Sequence, residues 1–331
     1  YRALDILHEH WEDLEELLGE ALGAHLTDDE RRMQLVDTTS LYFEAQMTDR
    51  EIALLNEKWD DFEADGSLPE PWRPRPTKVN ESELRMRGHN KDGHPESPQV
   101  KVALVCSPGG VVLRHRVYAG NVGDATITKD LVERLSARED CAATVWVADA
   151  GMMGKEQMAA LDGAGWDRVT AEPLRKSALG LQLFKALEGR YRKDPEREHI
   201  GYKMVDVQAS DSPSGRAERW VFTRNERERE RQLEMIERHL DKIAEELGRK
   251  PKANQAHAKA VCAVASHVSY KKYIKPSDEV KGAYVFDQEA INLERRLAGV
   301  RCYRTTLADL DGPAILRAYN ELQDVEATNK T

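Results

Sequence analysis

Three carboxylates that lie far apart along the sequence could act together on metal ions. Asp37 lies within the apolar stretch QLVDTTSLYFE, Asp149 follows the apolar stretch TVWVA, and Glu326 lies near the end of the sequence. Carboxylates that meet without cations repel one another, whereas divalent ions turn the same arrangement into a binding site. Mg²⁺ prefers oxygen ligands and keeps positions open for water and phosphate. Two such ions, about 3.5–4 Å apart, stabilise the attacking and the leaving oxygen of a phosphodiester displacement.

Each of these carboxylates also has an ordinary structural explanation. Asp37 could accept a backbone amide at a strand end, Asp149 before an Ala-Gly pair could start a turn, and Glu326 could be a surface residue of a helix. Their wide separation excludes one local explanation for all three. The order of the elements favours a shared site: a strand with Asp, two strands, a helix, a strand with Asp, a long segment and a helix with Glu.

The elements that position Asp37 are predicted to be strands. Residues 34–44 are rich in β-branched and aromatic residues, and alternation places Asp37 on one face with Leu35, Leu41 and Phe43. A carboxylate on that face costs several kcal/mol unless something pairs with it. Residues 99–106 and 111–119 predict two further strands around a turn at 107–110, so that the three strands form an antiparallel meander.

The elements around Asp149 are predicted to be a helix, a buried strand and a second helix. Asp124, at the end of GNVGD, is expected to cap a helix that buries Ile127, Leu131, Val132 and Leu135. Residues 144–151 read as a strand that is buried on both faces. A helix at roughly 154–163 and a strand in WDRVTAEPL follow.

The remaining segments are predicted from their periodicity. Residues 3–22 predict a packed helix, and 175–290 mix charged stretches with the strands GYKMVDVQ and RWVFT and a helix with apolar residues at 233, 236, 240, 243 and 247. RCYRTTL predicts a strand. A last helix begins near Gly312 and carries an apolar stripe beside Glu326, made of Ile315, Ala318, Leu322 and Val325.

A basic loop is the candidate for contact with nucleic acid. Residues 60–98 are rich in Gly and Pro, and cationic and aromatic side chains of this kind suit phosphate contact and base stacking. The candidates are Trp72, Arg73, Arg75, Lys78, Arg85, Arg87, His89, Lys91 and His94. A solvated surface loop explains the same composition equally well. The net charge of −10 confines any nucleic-acid site to a local patch.

Composition excludes several classes of protein. The chain has 331 residues, of which 40% are hydrophobic and 33% charged, and no apolar run approaches the roughly 20 residues of a membrane span. We therefore expect a soluble protein without a membrane partner. Four scattered cysteines without a C-x-x-C pair argue against zinc ribbons and disulfide frameworks and favour a reducing cytoplasm. Because the sequence starts at Tyr1 and stops within a helical pattern, we expect it to be part of a longer or trimmed protein.

Taken together, these fragments resemble the DDE transposases of bacterial insertion sequences. The resemblance is carried by DTTSLYFE, GHNKDGHPESPQVKVAL, GNVGD, VADAGM, and Tyr319 followed by Glu326. It is to the branch with a large insertion before the catalytic Glu and a Y-x2-R-x3-E-x6-K signature. Two positions depart from that signature: Leu322 replaces the Arg, and the Lys would fall beyond Thr331, so that Lys330 is expected to substitute in part.

The resemblance implies an α/β protein with the RNase H-like fold of retroviral integrases. This fold is a mixed sheet flanked by helices, here with a large mixed α/β insertion between the strand with the second Asp and the helix with the Glu. Residues 1–33 would be a helical lead-in, 34–174 and 291–331 the two parts of the catalytic domain, and 175–290 the inserted subdomain.

The resemblance also implies a function. Asp37, Asp149 and Glu326 would hold two Mg²⁺ ions, which Mn²⁺ could replace, and would cleave DNA at transposon ends and join it to target DNA. Tyr319 would contact a phosphate, the insertion would clamp the transposon end, and a homodimer would bring two ends together on double-stranded DNA. Two alternatives remain open: an RNase H-like nuclease without strand transfer, and a catalytically dead DNA-binding protein derived from a transposase.

Overall fold

The computed structural model describes residues 6–7, 9–67, 83–89, 93–138, 141, 144–187, 189–248, 264–279 and 284–328. Within these ranges, the side chains at 29, 248, 324 and 326–328 are not described. The Cα positions form two compact units. The first comprises Tyr1–Ala171, Asp206–Arg219 and Arg304–Thr331, and the second comprises Glu172–Val205 and Trp220–Tyr303.

Helices and strands are numbered here in chain order. The helices are α1 (Trp11–Gly23), α2 (Asp28–Arg32), α3 (Asp49–Glu57), α4 (Trp59–Asp65), α5 (Asp124–Ser136), α6 (Lys155–Gly163), α7 (Ala178–Ala186), α8 (Glu226–Gly248), α9 (Gln288–Leu297) and α10 (Gly312–Thr328). The strands are β1 (Met33–Tyr42), β2 (Gln99–Cys106), β3 (Val112–Ala119), β4 (Val145–Ala148), β5 (Asp167–Glu172), β6 (Arg192–Lys193), β7 (Ile200–Val207), β8 (Glu218–Asn225), β9 (Ile274–Pro276), β10 (Tyr284–Phe286) and β11 (Val300–Thr305).

The first unit is built on a mixed sheet with the strand order β3-β2-β1-β4-β5. β1 pairs antiparallel with β2, and β2 pairs antiparallel with β3, so the predicted meander is confirmed. β4 lies parallel to β1 on one side and parallel to β5 on the other. The short β4 is buried at all four positions, as its apolar sequence predicts.

One face of this sheet packs against α5 and α6. Val36, Trp146 and Ala148 belong to the same core cluster as Ile127 of α5 and Leu161 of α6. The four residues predicted for the buried face of α5 are all buried. Because side chains alternate along a strand, Leu35, Asp37 and Val147 face the opposite side.

The last helix, α10, packs on β1 and β4. Its predicted apolar stripe is confirmed, because Ile315, Ala318, Leu322 and Val325 are all buried. This packing fixes the helix that carries Tyr319 and position 326 against the two strands that lead to Asp37 and Asp149. Apolar packing therefore brings these elements together although they lie far apart in the sequence.

Three local predictions are wrong. Leu41 and Phe43 are exposed, because only the first half of β1 is buried on both faces. Asp124 is the first residue of α5 and Gly123 is its N-cap, which leaves the Asp124 carboxylate to accept a hydrogen bond from Lys101 Nζ at 2.8 Å. The start of the predicted 60–98 loop is instead α4, which ends at Gly66 in a left-handed conformation.

The second unit contains strands in the order β11-β8-β7-β6 and a separate antiparallel pair, β9 and β10. Ile236 and Ile243 of α8 pack with Tyr273, Ile274 and Ile291 in a second core cluster. The apolar pattern of α8 thus gives a packed helix, as predicted. Glu294 of α9 binds Arg175 and Lys272 in the same unit.

The fold is therefore a mixed α/β arrangement of sheet and flanking helices, compatible with the RNase H-like fold. That residues 175–290 form an insertion, and the predicted domain boundaries, stay predictions. Over the described residues, no helix has both the length and the apolar character that a bilayer crossing requires.

Candidate active site

Asp37 and Asp149 are brought together by the register of two parallel strands. Val36 of β1 lies opposite Ala148 of β4, and each of these residues is followed directly by one of the two aspartates. Asp37 lies in the middle of β1, opposite Leu104 of β2 on its other side, whereas Asp149 directly follows the last residue of β4. The sequence predicts both residues as members of one site, and the sheet makes them neighbours.

Asp149 is exposed and meets only neutral donors in the part of the chain that the structure describes. Its Oδ1 accepts a hydrogen bond from the Tyr319 hydroxyl at 2.8 Å, and its Oδ2 accepts one from the Gly151 backbone N–H at 3.4 Å. The second bond caps the short 3₁₀ turn Ala150–Met152. Asp149 therefore has both a turn-capping role and oxygen lone pairs left for a ligand.

Asp37 is more enclosed than Asp149, with 8% of its surface exposed. Its charge acts on the neighbouring strand: burial, followed by the carboxylate of Asp37, raises the pKa of the Cys106 thiol to about 11. Cys106 is therefore an inert buried thiol. A buried carboxylate that remains anionic strengthens the binding of any cation nearby, because little water screens it.

Tyr319 lies on α10 and is 5% exposed. The sequence predicts that it contacts a phosphate, whereas in the structure its hydroxyl is hydrogen-bonded to Asp149. No sequence signal could have found this contact, because 170 residues separate the two. Leu322, which stands where the signature has Arg, is completely buried. Its position faces the sheet, so an Arg there would place a charge in an apolar interface.

Position 326 lies on α10 two helical turns after Tyr319. The side chain of Glu326 lies outside the described residues, as does Lys330 altogether. Among the side chains that are described, no three His, Cys, Asp or Glu residues gather closely enough to bind a metal. The convergence of Glu326 with Asp37 and Asp149 therefore stays a prediction.

The basic loop is described only in part. Trp72, Arg73, Arg75, Lys78 and Lys91 lie outside the described residues. Arg85 Nε donates to Asp49 Oδ1 at 2.6 Å, and Arg87 Nη1 donates to Glu51 Oε1 at 2.6 Å. These carboxylates at the start of α3 neutralise two of the candidate DNA contacts.

The two histidines of the loop also contact protein groups. The His89 carbonyl accepts a hydrogen bond from Gln99 Nε2, and the His94 ring stacks on Tyr42 with centroids 4.3 Å apart. A role of these residues in DNA binding stays a prediction.

The arrangement suits a hard divalent cation. Aspartates 37 and 149 supply carboxylate oxygens from adjacent strands, and Asp149 has no basic partner among the described residues. Hard oxygen donors of this kind are those that Mg²⁺ and Mn²⁺ prefer. The donor set thus fits the metal that the sequence predicts.

One comparison with known proteins gives a match. The family model of the transposase DDE domain matches residues 72–316, which is more than half of the chain. The matched range contains Asp149 and lies between Asp37 and Tyr319 in the sequence. No curated protein and no solved structure matches the chain.

Proposed function

Because the chain belongs to the transposase DDE domain family, we propose that it cleaves DNA at transposon ends and joins the freed 3′ ends to target DNA. Transposases of this family use divalent metal ions. Here Asp37, Asp149 and Glu326 would hold two Mg²⁺ ions, with Mn²⁺ as a substitute. The observation that carries this proposal is the register of β1 and β4, which makes Asp37 in the middle of β1 and Asp149 at the end of β4 neighbours.

When bound, the metal ions would polarise the nucleophile, which is a water molecule in cleavage and the 3′-hydroxyl of the DNA in strand transfer. They would also stabilise the charge on the leaving oxygen. The residues of the chain supply position. Tyr319 holds one oxygen of Asp149 through its hydroxyl, and the Gly151 N–H holds the other. Oriented carboxylates need no rearrangement when the cation binds, which is the general advantage of a site built on rigid elements.

The apolar interface of α10 supports the third ligand. Ile315 and Leu322 are fully buried, so the helix is fixed to the sheet before any metal binds. Glu326, two turns beyond Tyr319, would then complete the site from this helix. A buried Leu322 also explains how the chain keeps the helix without the signature Arg.

Double-stranded DNA would be the substrate as both transposon end and target. The proposed DNA contacts are Trp72 and the basic residues of the loop, Arg73, Arg75, Arg85, Arg87, His89 and Lys91, together with Tyr319 and Lys330. Residues 175–290 would act as an inserted clamp on the transposon end. A homodimer would align two ends, as strand transfer of both requires.

The test is Mg²⁺-dependent nicking of a supercoiled plasmid that carries the coding sequence with its flanking DNA. Asp37→Asn removes one proposed metal ligand and should abolish nicking while leaving DNA affinity and thermal unfolding close to wild type. Asp211→Asn is the matched control, because Asp211 is an exposed aspartate of the same unit. Nicking by Asp37→Asn at the wild-type rate would contradict the assignment.

The same assay separates the alternatives. Joined product from a labelled 3′-hydroxyl duplex supports a transposase, and cleavage without joining supports a nuclease. Absence of metal-dependent nicking by the wild-type chain supports a catalytically dead DNA-binding protein, which the missing Arg at position 322 would favour.

A further inference from the structure

A cavity of about 180 Å³ in the second unit has a basic and aromatic lining. The residues that matter here are Phe184, Tyr191, Lys203, Arg224, Arg229 and Arg296. They come from α7, β7, β8, α8, α9 and the segment between α7 and β6. Four cations therefore converge on one small space from four separate elements.

The cations outnumber their counter-ions. Arg224 is paired with Glu226 at 2.6 Å. Over the described residues, Lys203, Arg229 and Arg296 have no carboxylate partner, and no acidic residue lines this cavity. Folding normally pairs clustered charges, because like charges in a partly desolvated space repel one another. A cluster in which three of four cations have no carboxylate partner points to an anionic ligand that supplies the missing charge.

The aromatic rings hold the cations in place. Lys203 Nζ lies 4.7 Å from the centroid of the Tyr191 ring, and Arg224 Cζ lies 4.4 Å from it. Arg296 Cζ lies 5.6 Å from the centroid of the Phe184 ring. Such cation–π contacts orient a charged group without neutralising it. Burial lowers the pKa of Lys203, and the charges of Arg224 and Arg296 lower it further.

The backbone around the cavity is also fixed. Gly299 has a positive φ of 69°, and a Cβ there would lie 2.5 Å from Asn225 O and 2.8 Å from Arg229 N. Its N–H donates to Gln232 Oε1 at 2.9 Å, and its carbonyl accepts the Asn225 N–H at 3.0 Å. The turn after α9 is thereby docked on the first two turns of α8, which places Arg296 and Arg229 on the same cavity.

We infer that this cavity is a phosphate-binding site, formed by Lys203, Arg224, Arg229 and Arg296 around Tyr191. Guanidinium groups bind phosphate oxygens in pairs, and a lysine adds a compact charge, so a mixed cluster suits a phosphate group better than a carboxylate ligand. The phosphate can belong to a DNA backbone or to a free nucleotide, and these two sources share the same chemistry.

A neighbouring cavity favours a ligand that extends beyond one phosphate. It measures about 440 Å³, shares Tyr191 and Arg224 with the first, and adds Arg190, Lys193 and His199. Glu198 and Glu226 also line this cavity, so its three Arg and Lys residues outnumber its carboxylates by one. Cations along adjoining cavities suit successive phosphates of one strand. The DNA source rests on the proposed function, whereas phosphate binding itself requires none of Asp37, Asp149 and Glu326.

The experiment measures the affinity of the full chain for a fluorescein-labelled duplex by anisotropy over a salt series. Lys203→Gln combined with Arg296→Gln removes two cavity cations. Lys271→Gln combined with Lys275→Gln is the matched control, because these exposed lysines of the same unit lie outside both cavities. We expect the cavity variant to lose about tenfold in affinity, with the slope of log affinity against log salt falling by about one. The control should change neither value appreciably.

A second arm distinguishes the two sources. Inorganic phosphate and deoxyadenosine monophosphate are titrated calorimetrically into the wild-type chain and the cavity variant. If the wild type binds the mononucleotide, the cavity variant does not, and the DNA affinities of the two are equal, the cavity is assigned to a free nucleotide. Equal DNA affinity of the cavity variant and the control, with no binding of phosphate or mononucleotide by the wild type, overturns the inference.

Tyr191 provides a check against misfolding. Tyr191→Phe keeps the ring that orients Lys203 and Arg224 and should keep the affinity, whereas Tyr191→Leu should weaken it several-fold. A loss in both variants of equal size would show that the ring does not act through the cations. Asp37→Asn should retain full phosphate affinity, so failure of the cleavage proposal and failure of this one give different results.

Discussion

The two units each contain a cluster of cationic side chains, and the clusters differ in their counter-ions. In the first unit, the buried Arg168 binds Glu218 at 2.8 Å and Asp162 at 2.5 Å, and Arg304 Nη1 lies 3.7 Å from Glu218. In the second unit, Lys203, Arg229 and Arg296 face a cavity and have no carboxylate partner within the described ranges. The first cluster is a closed network, and the second is open to a ligand.

The difference separates structural charges from charges that are available for binding. A buried ion pair contributes little net stability compared with apolar packing, yet the loss of one partner is costly because the other stays buried and uncompensated. An open cluster behaves in the opposite way, since removal of one cation relieves repulsion. The same distinction holds for carboxylates: Glu294 binds two cations, whereas Asp149 meets neutral donors among the described residues. Mutations at the two kinds of site should therefore differ in sign as well as in size.

The largest effect on stability is expected for Glu218→Gln. The side chain of Glu218 is fully buried beside Arg168, which is also fully buried, so neutralising it leaves an uncompensated charge. We expect the free energy of unfolding to fall by about 3–5 kcal/mol. Urea unfolding followed by circular dichroism measures this. Glu57→Gln, at an exposed position of α3, is the control and should change stability by less than about 0.5 kcal/mol.

An equal loss of stability in Glu218→Gln and Glu57→Gln would contradict the distinction between paired and unpaired clusters. It would mean that the closed cluster is no more dependent on its counter-ion than a surface residue is.

A smaller loss is expected for Glu294→Gln in the second unit. Burial raises the pKa of Glu294, but hydrogen bonds from Arg175 and Lys272 more than offset this and leave the pKa below its ordinary value. The substitution should cost about 1–2 kcal/mol near pH 7, because both cations are about half exposed and water weakens their contribution.

This loss should depend on pH. A carboxylate whose folded pKa is depressed stabilises the protein above its unfolded pKa of 4.5, and the contribution is lost as pH falls through the lower folded value. The difference between wild type and Glu294→Gln should therefore be constant above about pH 5 and disappear in strong acid. A difference that persists below the folded pKa would show that Glu294 acts through packing rather than charge.

Much of the first unit could be predicted from its sequence, because its elements are local patterns. β2 and β3 are alternating stretches around a tight turn, and β4 is short and uniformly apolar. Once β1 and β4 pair in parallel, their register alone brings Asp37 beside Asp149. The errors occur where tertiary contacts decide the outcome. The sequence predicts Asp124 as a helix cap, whereas in the structure its carboxylate accepts a hydrogen bond from Lys101.

The open cluster could not be predicted, because it has no local pattern. Lys203, Arg224, Arg229 and Arg296 lie on four elements, and each is one charged residue in a segment that is rich in charged residues. Only the docking of Gly299 on α8 shows that Arg229 and Arg296 share a space. The hydrogen bond from Tyr319 to Asp149 is hidden in the same way, since the signature predicts a phosphate contact.

Tyr319→Phe tests whether a neutral donor orients the Asp149 carboxylate. The variant loses one hydrogen bond, worth about 1 kcal/mol, and should slow Mg²⁺-dependent nicking roughly fivefold with little change in unfolding. Tyr118→Phe is the matched control, because Tyr118 also donates to a carboxylate, that of Asp130, at 2.8 Å. An equal effect of both variants on nicking would show that Tyr319 does not act through Asp149.

The smallest effect on stability, and the only one expected with the opposite sign, is that of Lys203→Met. Burial and the charges of Arg224 and Arg296 lower the pKa of Lys203, so the protonated lysine is less favourable in the folded chain than in the unfolded one. Its replacement by an apolar side chain should leave the free energy of unfolding unchanged or raise it by about 0.5 kcal/mol. The gain should shrink as pH rises towards 10.5, because wild-type Lys203 then loses its proton and the repulsion with it. Lys275→Met, at an exposed site in the same unit, should show no such dependence.

The same Lys203→Met change should weaken phosphate binding. A rise in stability together with a loss of affinity would therefore distinguish a ligand site from a structural cluster. A stability loss as large as that of Glu218→Gln would contradict the assignment as a ligand site.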